Sequence, residues 1–319
     1  MFRAALAALS LAAPAAAGDL TLGFPVDCQP GTTCHIQNYV DRDPGPGIAD
    51  YRCGTLSYDD HDGTDIALPT LAQMMAGVNV LAAAPGEVAA RRDGEVDRFY
   101  TPESAAGIDG RECGNGVLIR HADGWETQYC HMKLGSITVS PGDHVAQGAV
   151  LGQVGLSGMT EFPHLHLSVR HNGTAVDPFD RDATESCAEG DAHIWQVEPS
   201  YAPGGLVDAG FAAGLPTYDD IRAGTAAATG LGTDAAGLVI FGLGYGLQQG
   251  DVLTLTISGP EGEVIRTPIT LDKDQAQAYR AAGKKRPAGG WPAGRYLGTV
   301  TLTRDGTSLG ELTREISLR

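Results

Sequence analysis

The chain of 319 residues carries 39 acidic against 22 basic side chains, a formal net charge of −17 with histidine neutral. So acidic a balance excludes nucleic acid as the natural partner, because phosphate binding wants a basic face. The length suggests two domains, and charge divides the chain the same way: residues 18–200 hold 27 Asp and Glu against 10 Lys and Arg, whereas residues 201–319 hold 12 against 11.

Residues 1–17 read as a secretory signal peptide: a positive start at Arg3, an apolar run from Ala4 to Ala13, and the small-residue cleavage site Ala15-Ala16-Ala17. The run is too short to span a bilayer. No cysteine follows the cleavage site, which argues against a lipid anchor, and no later stretch is long and apolar enough to cross a membrane. The expectation is a soluble, exported chain.

Six cysteines suit that compartment. Residues 114–121 and 125–130 read as two strands around a turn at Asp123-Gly124, which places Cys113 nearly opposite Cys130 and predicts a bridge. Cys28 with Cys34 would close a short loop, leaving Cys53 for Cys187. Reduced, buried thiols are the plainer alternative. A cysteine-zinc site is disfavoured because no C-x-x-C pair exists.

Residues 18–54 form a cysteine-containing extension. Its "DRDPGPG" carries Asp41 and Asp43 but lacks the Gly and Glu positions of a calcium loop, so a Pro-Gly turn is expected. Next come two stretches of histidine and carboxylate at ligand-like spacing: "HDGTD", residues 61–65, and "HLHLSV", residues 164–169. On a strand, His164, His166 and Ser168 share one face while Leu165, Leu167 and Val169 take the other. Two imidazoles on one face reach a single small site. His61 and Asp65, four apart, can converge on it. Zinc accepts nitrogen and carboxylate oxygen, and three protein ligands leave a position for water. A lone histidine is more often a hydrogen-bonded core or surface residue, and His35, His121, His144, His171 and His193 are read that way. No H-E-x-x-H is present, so a helix-borne Glu base is not in use.

Strand-like runs elsewhere are short and bounded by Gly, Pro, Asp or Asn. The nearest approach to a helix, residues 72–84, leads directly into strand and turn. "VSPGDHVAQGAVLGQVG", residues 139–155, shows two turns between short apolar strands. A Pro- and Gly-rich linker is expected at 201–216. Beyond it, Leu253, Leu255 and Ile257 alternate with Val252, Thr254 and Thr256, and two alternating strands flank Asp305-Gly306, a hairpin signal. Residues 217–319 thus predict a small β-sandwich of immunoglobulin-like type. The basic "GKKRPAGG", residues 283–290, is read as a solvated loop. The fold class is all-β and mainly antiparallel.

Taken together, His61-Asp62-Gly63-Thr64-Asp65, Tyr129-Cys130-His131 and His164-Leu165-His166 resemble the His-x-Gly-x-Asp, Tyr-x-His and His-x-His motifs of the lysostaphin- or LytM-type zinc endopeptidases of bacterial cell walls. "CGNGVLIRHADGWETQYCHM" and "SPGDHVAQGAVLGQVGLSG" resemble the stretches before the family's middle histidine and its histidine pair. The resemblance covers roughly residues 55–180, within a peptidase domain placed at 55–200. It implies His61, Asp65 and His166 as ligands of Zn2+, and His131 and His164 as the catalytic pair. Bound zinc lowers the pKa of a water from about 15.7 towards 7, and imidazoles titrate where protons must then move. Phe162, where the family often has Gly, and Cys130 beside His131 depart from the pattern without removing a ligand.

The resemblance implies hydrolysis of peptide bonds in peptidoglycan stem peptides or cross-links. Two alternatives stand beside it: a non-hydrolytic or auto-inhibited activator of wall hydrolases, and an endopeptidase acting on Gly-rich secreted proteins. A regulatory partner would dock through the C-terminal domain. A short signal and the lack of a wall-binding repeat favour the periplasm over the medium.

Overall fold

The computed structural model describes residues 20–182, 187 and 192–319; the expected signal peptide lies outside them. Ten strands make up the N-terminal part: β1 His35–Asn38, β2 Thr64–Ala67, β3 Asn79–Leu81, β4 Gly86–Arg92, β5 Asn115–Arg120, β6 Trp125–Met132, β7 His144–Val145, β8 Val150–Gln153, β9 His164–His171 and β10 Thr174–Ala175. Among the described residues this part has one α-helix, α1 Leu71–Ala76, capped by Thr70, whose hydroxyl accepts from the Gln73 amide. The main sheet is antiparallel, in the order β1-β2-β9-β6-β5-β4-β7, with β10 paired to β9; β3 and β8 form a separate pair.

β9 is an interior strand, held by β2 on one side and β6 on the other. Leu165, Leu167 and Val169 are buried on its core face, with Val117, Ile119 and Tyr129 in the same cluster. The opposite face carries His164, His166, Ser168 and Arg170. Alternation therefore assigns the two faces their chemistry, core on one and polar cleft on the other.

The C-terminal part holds β11 Gly205–Ala212, β12 Gly237–Leu247, β13 Val252–Gly259, β14 Gly262–Thr270, β15 Gln275–Lys285, β16 Gly294–Arg304 and β17 Thr307–Leu318, with the helix α2 Tyr218–Ala223. These strands form a three-stranded sheet β11-β12-β15 and a four-stranded sheet β14-β13-β16-β17. Leu253, Leu255, Ile257 and Val300 of one sheet share a buried core with Phe211, Leu238 and Ile240 of the other. This is the two-sheet, Greek-key arrangement of an immunoglobulin-like sandwich. Residues 201–216, expected as a linker, contain β11. The glycines suggested a loop, but Ala209 and Phe211 bury against the sandwich core and recruit the segment as a strand.

Three disulfides join Cys28 to Cys34, Cys53 to Cys187 and Cys113 to Cys130. The "DRDPGPG" segment is a turn in which Asp41 and Asp43 accept backbone amide hydrogen bonds from Asp43, Ala49 and Gly45. Among the described residues, no helix is long and apolar enough to cross a membrane.

β1 touches both parts of the chain. The Gln37 side chain donates to the Ala276 carbonyl at 3.1 Å and accepts from Gln277 at 2.8 Å. His35 packs its ring 4.3 Å from that of Tyr245. Burial lowers the pKa of His35 to about 4, against a hydrogen bond donated by its Nε2–H to Gln37 Oε1, which raises it. The unfolded chain binds a proton at His35 below about pH 6.5, the folded chain only below about 4. The stability this neutral imidazole contributes is full above pH 6.5 and is lost as pH falls through that window, by roughly 3 kcal/mol. Urea unfolding of wild type and His35→Phe should therefore give curves that diverge between pH 6.5 and 4, wild type losing the more. Parallel curves contradict this assignment.

Candidate metal centre

The β2–β9 register sets Asp65 opposite His166 and Ala67 opposite His164. His61 enters from the loop before β2. Three atoms then converge. His61 Nε2 lies 3.2 Å from Asp65 Oδ1 and 3.2 Å from His166 Nδ1, and His166 Nδ1 lies 2.9 Å from Asp65 Oδ1. All three residues are close to fully buried.

What each side chain does with its other polar atom explains the convergence. His61 Nδ1–H donates to the Tyr39 carbonyl at 2.7 Å, turning the Nε2 lone pair inward. His166 Nε2 engages Ser168 Oγ at 3.0 Å and Asp62 Oδ1 at 3.3 Å, turning Nδ1 inward. Asn38 Nδ2 donates to Asp65 Oδ2 at 2.8 Å, leaving Oδ1 for the centre. Such outer partners orient metal ligands and hold their tautomers. Three acceptors facing one another require a positive charge between them. Two imidazole nitrogens and one carboxylate oxygen are a donor set that fits a transition-metal cation, and this trio is a cluster that could hold one.

In the absence of a cation, a proton on His166 takes the central place. Burial opposes ionisation of Asp65, yet the charges of His61 and His164 hold its carboxyl well below the usual range. Burial would lower the pKa of His166, but hydrogen bonds to Asp62 and Asp65 raise it to about 9. The hydrogen bond from His166 brings Asp62 down to about 2. His131 is pushed well below its ordinary value by burial, then by the neighbouring His164 and His166.

The second pair of imidazoles stands beside this trio. The His131 and His164 rings lie 4.6 Å apart. His131 Nδ1–H donates to the Ser157 carbonyl at 2.8 Å. His164 Nδ1–H donates to the Phe162 carbonyl at 2.9 Å, and its Nε2 lies 3.4 Å from Asp65 Oδ1. Phe162 stacks on the His164 ring at 4.3 Å. All five expected residues thus meet in one place. A cleft of about 390 Å³ opens beside His131 and His166, walled by Tyr58, Asp62, Glu112 and Arg170. Gly63 is required by crowding: a Cβ there would come within 2.5 Å of His166 Nε2.

Sequence reasoning missed Asn38, Tyr39 and Asp62. Asp62 sits inside "HDGTD" and was within reach. Nothing in "IQNYV" marks Asn38, whose role follows only from its pairing opposite Asp65.

A β-rich domain that gathers two imidazoles and a carboxylate in this way is a candidate metal-binding domain. Residues 59–178 match the model of peptidase family M23. The cell division protein DipM of Caulobacter vibrioides is 38% identical over 101 residues, covering 32% of this chain and 15% of that protein. The DD-carboxypeptidase/endopeptidase Mpg of Neisseria meningitidis is 46% identical over 65 residues, covering 20% of this chain and 14% of that protein. The matches therefore span about a seventh of the length of these relatives. Among solved structures, the catalytic domain of the prophage-encoded M23 protein EnpA from Enterococcus faecalis aligns with a TM-score of 0.35 at 26% identity, over 52% of this chain and 99% of that one.

Asn38→Ala removes the donor to Asp65 without touching a ligand. It should weaken divalent-metal binding about 10- to 100-fold, measured by competition against a chromophoric chelator. Unchanged affinity would show that Asn38 does not orient the carboxylate.

Proposed function

We propose that this chain is an exported zinc metalloendopeptidase that hydrolyses peptide bonds in peptidoglycan stem peptides or cross-links. The observation that carries this reading is the set of three inward donor atoms, each fixed by an outward hydrogen bond, beside a cleft lined by His131, whose ring lies 4.6 Å from that of His164. The M23 match supports it, as do relatives named as a DD-carboxypeptidase/endopeptidase and a peptidoglycan DD-endopeptidase. The periplasm is the compartment that suits such a substrate, together with the three disulfides.

His61 Nε2, Asp65 Oδ1 and His166 Nδ1 are the atoms that would hold zinc, which when bound supplies Lewis acidity and brings a water's pKa towards neutrality. The remaining chemistry falls to the chain. Burial keeps His131 neutral, and with Nδ1–H engaged by Ser157, its Nε2 presents a lone pair able to accept a proton. His164 is oriented the same way by the Phe162 carbonyl, with Nε2 facing the centre. A proton taken from the attacking water at one of these nitrogens makes an imidazolium that offsets negative charge at the reacting carbonyl, and the proton then passes to the leaving amine. The cleft walls carry Asp62, Glu112 and Arg170 and so favour a polar peptide.

We read residues 55–200 as the peptidase domain and the β-sandwich as the part that positions it or receives a regulatory partner. The hydrogen bonds of Gln37 to the sandwich, next to Asn38, support a positioning role.

Mature protein incubated with isolated peptidoglycan and zinc should release new amine ends, and a chelator should stop the release. His131→Ala should keep one zinc per chain and lose turnover by about 100- to 10,000-fold. A wild type that binds zinc yet cleaves neither peptidoglycan nor Gly-rich peptides would replace the enzyme reading with that of a non-hydrolytic activator.

A further inference from the structure

His131 should not face the cleft at all if β6 were regular. Tyr129 pairs with Leu167 on the core face, and Cys130 pairs with His166 on the cleft face. Strict alternation would return His131 to the core. The β5–β6 ladder is interrupted at this point. Val117 pairs with Tyr129 and Asn115 with Met132, so Gly116 alone opposes both Cys130 and His131. Two residues against one make a β-bulge, a device that re-aims a side chain. His131 takes φ of +60°, a left-handed conformation unfavourable for a residue with a Cβ. The bulge turns its ring onto the cleft face, 4.6 Å from His164.

We propose that Cys113 and Cys130 are positioning residues: their disulfide holds this bulge, and so makes the peptidase competent only in its oxidised form. The inference rests on the reading of His131 as a proton acceptor. The His131 amide donates to the Cys113 carbonyl at 2.8 Å, and the bridge ties Cys113 to Cys130, with Cα atoms 4.8 Å apart. Cys113 lies before the first paired residue of β5, so no strand pairing fixes its carbonyl. Gly116 gives the bridge room, since a Cβ there would meet the Cys113 sulfur at 2.9 Å. Both cysteines line the cleft, and Cys113 is only partly buried. The side chains of the trio are oriented by other partners: the Tyr39 carbonyl, Asn38 and Ser168.

Reduction by a small dithiol balances as follows. One thiolate attacks a sulfur of the bridge, the S–S bond breaks, and a mixed disulfide forms. The second thiol of the reagent then closes its own disulfide. The reagent loses two electrons, and two cysteine thiols remain on the protein. Without the bridge the Cys113 carbonyl is released, the bulge relaxes, and His131 Nε2 leaves its place.

The test compares zinc-loaded wild type with the Cys113→Ala/Cys130→Ala double variant, by peptidoglycan turnover and by amide hydrogen exchange. The variant should lose about 100-fold in kcat, the scale of a small misplacement of a catalytic group, with KM little changed. It should also keep one zinc per chain. Exchange should accelerate in residues 129–132 and stay slow in 61–65 and 164–168. A Cys28→Ala/Cys34→Ala variant should behave as wild type. A kcat within about twofold of wild type, or unchanged exchange at 129–132, overturns the proposal. So does loss of protection across the whole sheet, which would mark the bridge as a general staple. If the double variant does not fold, wild type in graded dithiol serves, with alkylation and mass spectrometry identifying which bridge has opened. If wild type itself cleaves nothing, the enzyme reading fails, and exchange at 129–132 still decides whether the bridge holds the bulge.

Discussion

The site depends on one register. Asp65 lies opposite His166 across the β2–β9 ladder, and Cys130 lies opposite His166 on the other side. A slip of one residue would send His164, His166 and Ser168 into the core and Leu165, Leu167 and Val169 into the cleft. The core prevents that slip, because the three apolar side chains are buried almost completely. Hydrophobic burial on one face of β9 is thus what holds the histidine-bearing face in place on the other. A strand paired on both edges has little freedom to twist away, which suits a centre whose donor atoms lie within 3.2 Å of one another.

Around that register the chain spends its polar groups in a consistent way. Each donor of the trio has one atom directed inward and another tied outward, to the Tyr39 carbonyl, to Asn38, or to Ser168 and Asp62. Two of these outer partners come from the segment around β1, which also hydrogen-bonds to the sandwich through Gln37. The centre is therefore assembled from three parts of the chain: the strand pair, the N-terminal extension, and, one step removed, the C-terminal domain. His131 joins by a different route, a bulge against Gly116.

Much of this was legible from local pattern. Alternation in "HLHLSV" assigned the two faces of β9 correctly, and Asp305-Gly306 marked the last hairpin, where both residues take positive φ. The three motifs named the five residues that meet at the site. What local pattern could not carry was non-local or irregular. β11 was hidden under glycines because its burial comes from packing against the sandwich rather than from its own periodicity. Asn38 carries no signal until it is paired opposite Asp65. Alternation along β6 would have pointed His131 into the core, and only the interrupted ladder explains why it does not.

If His61, Asp65 and His166 share one zinc ion through two nitrogens and one oxygen, zinc-edge X-ray absorption of the purified protein loaded with one equivalent of zinc should give a first shell of about four nitrogen or oxygen atoms near 2.0–2.1 Å with imidazole scattering and no sulfur. A sulfur shell near 2.3 Å, or zinc that His166→Ala does not displace, would contradict that shared site.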